Sequence, residues 1–382
     1  MALHETQLTL APARGLIAEI TGGSTIEYRQ LGRSGLKISL HTLGTMNFAG
    51  EGAFFGMAGP VQIKDAARLV DIAADHGVNM LDTSNAYSRG KSEEAVGEVL
   101  KGRSQQMMVG TKVRFSMGDG PNEQGLSRFH IIHEAEASLK RLKRDHIDLY
   151  FLHEWDGLTP VEETMEALDT LVKQGKVRYV ACSNFSAWHI MKCLAAADRH
   201  HFQRFVCQQI HYTIEAREAE FELMPLALDQ GVGIQVWSPL AGGLLSGKFR
   251  KGKPDPKVSR HIAGWGEPPI YNQERLYTII EALVKVGEAH GVSAAQVALA
   301  WTAGRPGVSS LIVGARNEEQ LKDSLASASL KLSDADRQTL DDVSLLQQPY
   351  PYWHQCWSAA ERLGPADMAM HAPYIANRKP RM

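Results

Sequence analysis

The chain has 382 residues and a mass of 42.1 kDa, with 44% apolar residues, 22% charged residues and a net charge of −2. This composition suits a globular fold. It excludes a fibrous or disordered chain and offers no bulk attraction to nucleic acid or an anionic membrane.

Residues 1–26 lack the basic start and continuous apolar stretch of a signal peptide and read as an N-terminal extension. No segment reaches the roughly 20 apolar residues needed to span a bilayer. The cysteines Cys182, Cys193, Cys207 and Cys356 form no CxxC pair. Neither a disulfide framework nor a structural zinc is expected, and the chain reads as cytoplasmic.

YRQLGRSGLKISL (28–40) predicts two short strands around a glycine-containing turn, a hairpin. A strand–helix alternation then begins near residue 41, with strands ending near Thr45, Thr83, Val113, His153, Ser183, Tyr212, Ser238 and Ala315. Between them lie amphipathic stretches such as VQIKDAARLVDIAADHG and TPVEETMEALDTLVKQG, both stopping at glycine. Eight strands with intervening helices predict a (β/α)8 TIM barrel over residues 27–345. The rival is an open doubly wound sheet, but no G-x-G-x-x-G follows an early strand. GGLLSG (242–247) comes late and has the wrong spacing, so it reads as a loop. Residues 346–382 are expected to form extended loops, their aromatics walling the barrel mouth.

Four polar residues close three successive strands: Asp82 and Tyr87 in NMLDTSNAY, Lys112 in MMVGTKV, and His153 in IDLYFLH. Each alone has an ordinary structural role: a turn cap, a packed aromatic, a solvated strand end, a core histidine. Together, at strand ends that open onto one barrel face, they make a proton-donating site. A phenol titrates near about 10, and a neighbouring ammonium should lower that value while a carboxylate keeps the ammonium charged. An imidazole beside them can orient a carbonyl oxygen. The chemistry implied is carbonyl reduction, with Tyr87 protonating the oxygen as hydride reaches carbon.

Beyond these residues, YRQLGRSGLKIS, LGTMNF, LDTSNAYSRGKSEEAVGEVLK, GTKV, YFLHEWD, EALDTLVKQGKVRYVACSNF, WSPLAGGLLSGKF and LIVGARNEEQL together resemble the aldo-keto reductases over about residues 27–345. The resemblance implies Tyr87 as general acid, Lys112 and Asp82 as its tuning pair, and His153 as the residue orienting the carbonyl. It also implies a nicotinamide pocket at Ser183, Asn184 and Gln209, an aromatic stack at Trp237, and cofactor contacts at Thr45 and Met46. The pyrophosphate would lie along Ser238, Pro239, Leu240, Ala241, Gly242 and Lys248. The adenosine end would meet Gly314, Ala315, Arg316, Gln320, Asp323 and Ser324, although many family members carry Glu and Asn at the last two positions. Arg316, with Arg260 in VSR, favours NADPH over NADH, since a guanidinium can hold a 2′-phosphate. SGKF, VSR and Trp237-Ser238-Pro239-Leu240 point to the group containing voltage-gated potassium channel β subunits and bacterial reductases. His153 stands where the channel subunits carry Asn.

The expected partner is a small-molecule carbonyl substrate, with Phe48, Trp155, Trp265 and Trp353 as candidate apolar walls beside Tyr87 and His153. Bulky or cyclic ketones, aromatic aldehydes and oxidised sugars all remain open, as does homo-oligomerisation. Two other functions compete with the reductase. One is a nucleotide-sensing protein with vestigial chemistry. The other is a metal-dependent hydrolase, which His130, His133 and His153 fit poorly because they form no compact ligand set.

Overall fold

Short runs that are apolar on both faces suit parallel strands buried between a barrel interior and a helical ring. The computed structural model describes residues 26–50, 55–57, 59–102, 107–256, 259, 261–264 and 266–376. After β1 (Tyr28–Gln30) and β2 (Lys37–Ser39), eight such runs follow: β3 (His41–Gly44), β4 (Met80–Asp82), β5 (Met108–Val113), β6 (Ile147–Leu152), β7 (Val177–Ser183), β8 (Cys207–His211), β9 (Gly233–Trp237) and β10 (Val308–Val313). They pair in parallel in chain order and close as a barrel, β10 meeting β3 through Leu311–His41, Ile312–Thr42 and Val313–Leu43. This is the (β/α)8 barrel that the sequence predicts, and its strand ends fall within two residues of the predicted positions.

Local chemistry starts and stops the helices. Ser127, Asn272, Ser293 and Asn317 each accept a backbone N–H at a helix start, and Ser333 forms a reciprocal box with Asp336. Gly231 and Gly291 end their helices in the left-handed conformation. No helix among the described residues is long and apolar enough to cross a membrane.

The antiparallel pair β1–β2 seals the end of the barrel opposite the strand C-termini. Its Leu31 and Ile38 pack inside the barrel with Met80, Leu149, Phe151, Ala181 and Cys207. Arg29 Nη1 donates to the carbonyls of Ala303 (2.6 Å) and Val308 (2.8 Å), tying the hairpin to the start of β10. With that end plugged, only the other mouth can admit a ligand.

The C-terminal stretch departs from the loops expected of it. It forms helices Tyr352–Ser358 and Pro365–Ala376, the second packed on helix Leu223–Gln230. Tyr352 stacks on Phe221 at 5.7 Å and its hydroxyl donates to Glu222 Oε1 at 2.7 Å. The segment after β8 yields a single 3-10 turn, Glu218–Glu220, and an eight-residue α-helix, and the C-terminal helices cover the apolar surface around Phe221. None of their described residues, Trp353 included, lines the central cavity.

Gly32, at the hairpin tip, has a φ of +58°, and a β-carbon there would lie 2.5 Å from the carbonyl oxygen of Gly231. Gly32→Ala should therefore cost at least about 2 kcal/mol in urea unfolding and leave the distant mouth unaltered.

Candidate active site

Lys112, on β5, is completely buried, so its ammonium must find partners for all three protons. It does: Nζ donates to Asp82 Oδ2 (2.7 Å), the Thr83 carbonyl (2.7 Å) and the Tyr87 hydroxyl (3.2 Å). The other oxygen of Asp82 accepts from Gln209 Nε2 at 2.9 Å, so the carboxylate is fixed from both sides. His153, just past β6, sets its Nδ1 3.1 Å from Ser84 Oγ, with its ring 5.8 Å from that of Tyr87. Tyr87 opens a tight turn in which Ser88, Arg89 and Gly90 all have positive φ (50°, 51° and 88°). Left-handed backbone is strained for the first two residues, and surrounding contacts must hold it. The four predicted residues thus converge.

The electrostatics differ from the sequence-based expectation in one respect. Burial raises the Tyr87 phenol above its ordinary value; Lys112 only partly offsets this, and Asp82 and Glu267 push the same way as burial. The expected net lowering by Lys112 is therefore corrected, because losing water costs the phenolate more than the ammonium returns. The hydroxyl stays protonated at neutral pH and available as a donor. Burial pulls Lys112 down, but Asp82 and Tyr87 more than compensate and keep it charged. Burial, reinforced by Lys112 and Arg114, holds His153 well below the ordinary imidazole range, so the ring is neutral.

A cavity of about 1140 Å³ opens over this cluster. Met46, Asp82, Tyr87, His153, Ser183, Asn184, Gln209 and Trp237 line it. Ser238, Pro239, Leu240, Gly242 and Lys248 continue the lining from the loop after β9, and Gly314, Arg316, Gln320, Asp323 and Ser324 from that after β10. Thr45 and Lys112 lie behind the wall, with Thr45 Oγ1 donating to the Asp82 carbonyl at 2.9 Å. Ala241 and Ala315 are buried and offer their carbonyls inward, to His261 Nε2 (3.1 Å) and Asn47 Nδ2 (2.8 Å). Arg260 and Trp265 lie outside the described residues.

Two candidate walls need correction. Phe48 is fully buried and bridges to Val61 in the core, away from the cavity. Trp155 turns outward after β6, stacking on His189 at 3.9 Å and meeting Phe185 edge-on at 5.2 Å. The aromatics beside the tetrad are instead Phe55, 5.9 Å from Tyr87, and Phe115, 4.8 Å from His153. Phe115 follows GTKV just past a strand end, the same positional signal that singled out His153. Ser84, Glu154 and Glu267 were also missed, and no spacing rule marks them.

The side chains present suit a nicotinamide dinucleotide. Ser183 Oγ is buried at the cavity wall without a hydrogen-bond partner among the described residues, and Asn184 sits at φ 57° beside it. Asn184 bridges the Trp237 indole N–H (2.9 Å) and the His153 carbonyl (3.0 Å). Farther along, Lys248 and Arg316 face the cavity, and no described carboxylate pairs with either. Asp323 is already engaged, accepting from Ser293 Oγ and Gln296 Nε2 at 2.9 and 2.7 Å.

The profile of the Aldo/keto reductase family matches residues 42–345. The chain belongs to that family. An uncharacterized oxidoreductase of Bacillus subtilis, YrpG, is 36% identical over 329 residues, 83% of this chain and 96% of the relative. Probable voltage-gated potassium channel β subunits of Arabidopsis thaliana and Oryza sativa are 36% and 34% identical over 307 residues, 78% of this chain and 90% of each relative. As an aldo/keto reductase the chain is an oxidoreductase, and its barrel opens at the mouth where the four converging residues lie.

Burial lowers several histidines, and three are shifted furthest: His41 and His211, to about 4, and His153, well below 6.5. The unfolded chain takes up these protons near 6.5 while the fold refuses them, so stability is full above 6.5 and falls as pH drops. Urea unfolding should show this acid slope. His153→Asn should make the slope shallower by up to about 1.4 kcal/mol per pH unit.

Proposed function

We propose that the protein reduces an aldehyde or ketone to an alcohol using NADPH, with Tyr87 as the proton donor. The bound nicotinamide would supply hydride to the carbonyl carbon. The observation that carries this reading is the protonated Tyr87 hydroxyl at 3.2 Å from a buried ammonium that Asp82 keeps charged. As oxygen gains charge, the hydroxyl gives up its proton and the resulting phenolate is stabilised by Lys112. Neutral His153, its Nδ1 accepting from the Ser84 hydroxyl, can donate its one ring proton, on Nε2, to the same oxygen and fix its direction.

Ser183 Oγ, Asn184 and Gln209 would hold the carboxamide, and Trp237 would cover the ring. Lys248 and the loop Ser238–Gly242 would take the pyrophosphate. Arg316 would pair with a 2′-phosphate, which is the basis for choosing NADPH over NADH. Phe55 and Phe115 would flank the carbonyl, which fits an apolar or aromatic substituent.

A second reading, a nucleotide-sensing regulator with vestigial turnover, draws on the channel-subunit names of two relatives. His153, fully formed against Ser84, favours the enzyme. A panel of carbonyl compounds followed at the NADPH absorbance separates them, since a sensor should bind NADPH and oxidise it with none.

Tyr87→Phe should lower turnover by on the order of 10²–10⁴-fold while NADPH still quenches tryptophan fluorescence; unchanged turnover would remove Tyr87 from its role. Arg316→Ala should raise the KM for NADPH far more than that for NADH, and equal effects on both would defeat the cofactor assignment.

A further inference from the structure

Behind the tight turn that carries Tyr87, helices Lys91–Val99 and Arg128–Leu142 pack together around a buried ion cluster. Arg141 Nε donates to Glu93 Oε2 at 2.5 Å, and its Nη2 donates to Glu134 Oε2 and Ser138 Oγ, both at 3.2 Å. Glu93 and Glu134 are 0% and 4% exposed. Burial pushes the Glu93 carboxyl up, and Arg141 and Thr111 oppose that rise.

Each carboxylate has a second partner, and both partners belong to segments that form the candidate active site. Glu93 Oε1 accepts from Thr111 Oγ1 at 2.5 Å, and Thr111 immediately precedes Lys112 on β5. Glu134 Oε2 accepts from Asn85 Nδ2 at 3.0 Å, two residues before Tyr87. The Asn85 backbone N–H in turn donates to the Lys112 carbonyl at 3.3 Å. One guanidinium therefore ties together the two backbone segments whose separation sets the distance from Tyr87 to Lys112. It also backs the strained turn directly, since a β-carbon at Gly90 would lie 2.6 Å from Arg141 Cδ. Ser88 and Arg89 hold unfavourable backbone conformations there, and such conformations persist only where neighbouring structure over-determines them.

We propose that Arg141, Glu93 and Glu134 form a positioning device that holds the Tyr87 hydroxyl against Lys112 through Thr111 and Asn85. This rests on the reading of Tyr87 as proton donor. Thr111 and Asn85 touch no reacting atom, so they act on rate through placement alone. A misplacement of about 1 Å can cost on the order of 10²-fold in rate.

The test uses Thr111→Val, Thr111→Ser and Asn85→Ala in the full chain, with Tyr87→Phe alongside. Readouts are kcat and KM for carbonyl reduction, NADPH binding by fluorescence quenching, and Tm. Thr111→Val should lower kcat by roughly 10–10²-fold with KM and NADPH binding unchanged, and Thr111→Ser, which keeps the hydroxyl, should restore kcat. Asn85→Ala should behave like Thr111→Val and decides the matter alone if the latter does not fold. Wild-type kcat in Thr111→Val or Asn85→Ala, with only Tm reduced, overturns the proposal. If Tyr87→Phe abolishes turnover while the others leave kcat intact, the positioning role alone fails; wild-type turnover in Tyr87→Phe brings down both readings.

Discussion

A primary ammonium with no exposure to water is the constraint around which the barrel mouth is arranged. Moving an isolated charge of this kind out of water costs several kcal/mol even after relaxation, so a fold tolerates it only when partners converge. Around Lys112 they come from Asp82, at the end of the adjacent strand β4, and from Thr83 and Tyr87 in the segment that follows it. Gln209 reaches Asp82 from the middle of β8 and braces the carboxylate's second oxygen. The parallel barrel makes this convergence possible, because consecutive strand ends arrive at one rim.

Burial then sets the protonation states. The two proton-bearing groups at the carbonyl end of the cavity, the Tyr87 phenol and the His153 imidazole, are driven toward their neutral forms. The permanent positive charge sits one layer behind them. That order places a donor in front and charge stabilisation behind, ready for an anion that forms only as the proton leaves. Reversing the two layers would put a solvated lysine at the surface and lose the low-dielectric advantage.

Much of this was legible in the sequence because barrel strands are buried on both faces and read as short apolar runs with a polar terminus. Asp82, Lys112 and His153 stand out on that pattern, and Tyr87 follows from its place in LDTSNAY. Less legible was whatever depends on where a side chain points after the strand ends. Phe48 and Trp155 looked like cavity walls, yet one folded into the core and the other stacked on His189. The sign of the Tyr87 shift was also misjudged, since proximity of charge can be guessed from strand order but depth of burial cannot. Glu93, Glu134 and Arg141 lie on two helices whose periodicity marks them only as polar, and nothing in one dimension says that they meet.

The hairpin that plugs the barrel floor has a consequence for biosynthesis. Arg29 emerges from the ribosome early, but one of its carbonyl acceptors, at Val308, lies 279 residues later. At about 5–20 residues per second, the gap is roughly 14–56 s. Until then Leu31 and Ile38 have no closed cylinder to enter. The apolar partners of Leu31 and Ile38 are all synthesised by Cys207, so what waits for the last strand is the Arg29 anchor and the closing of the cylinder around them.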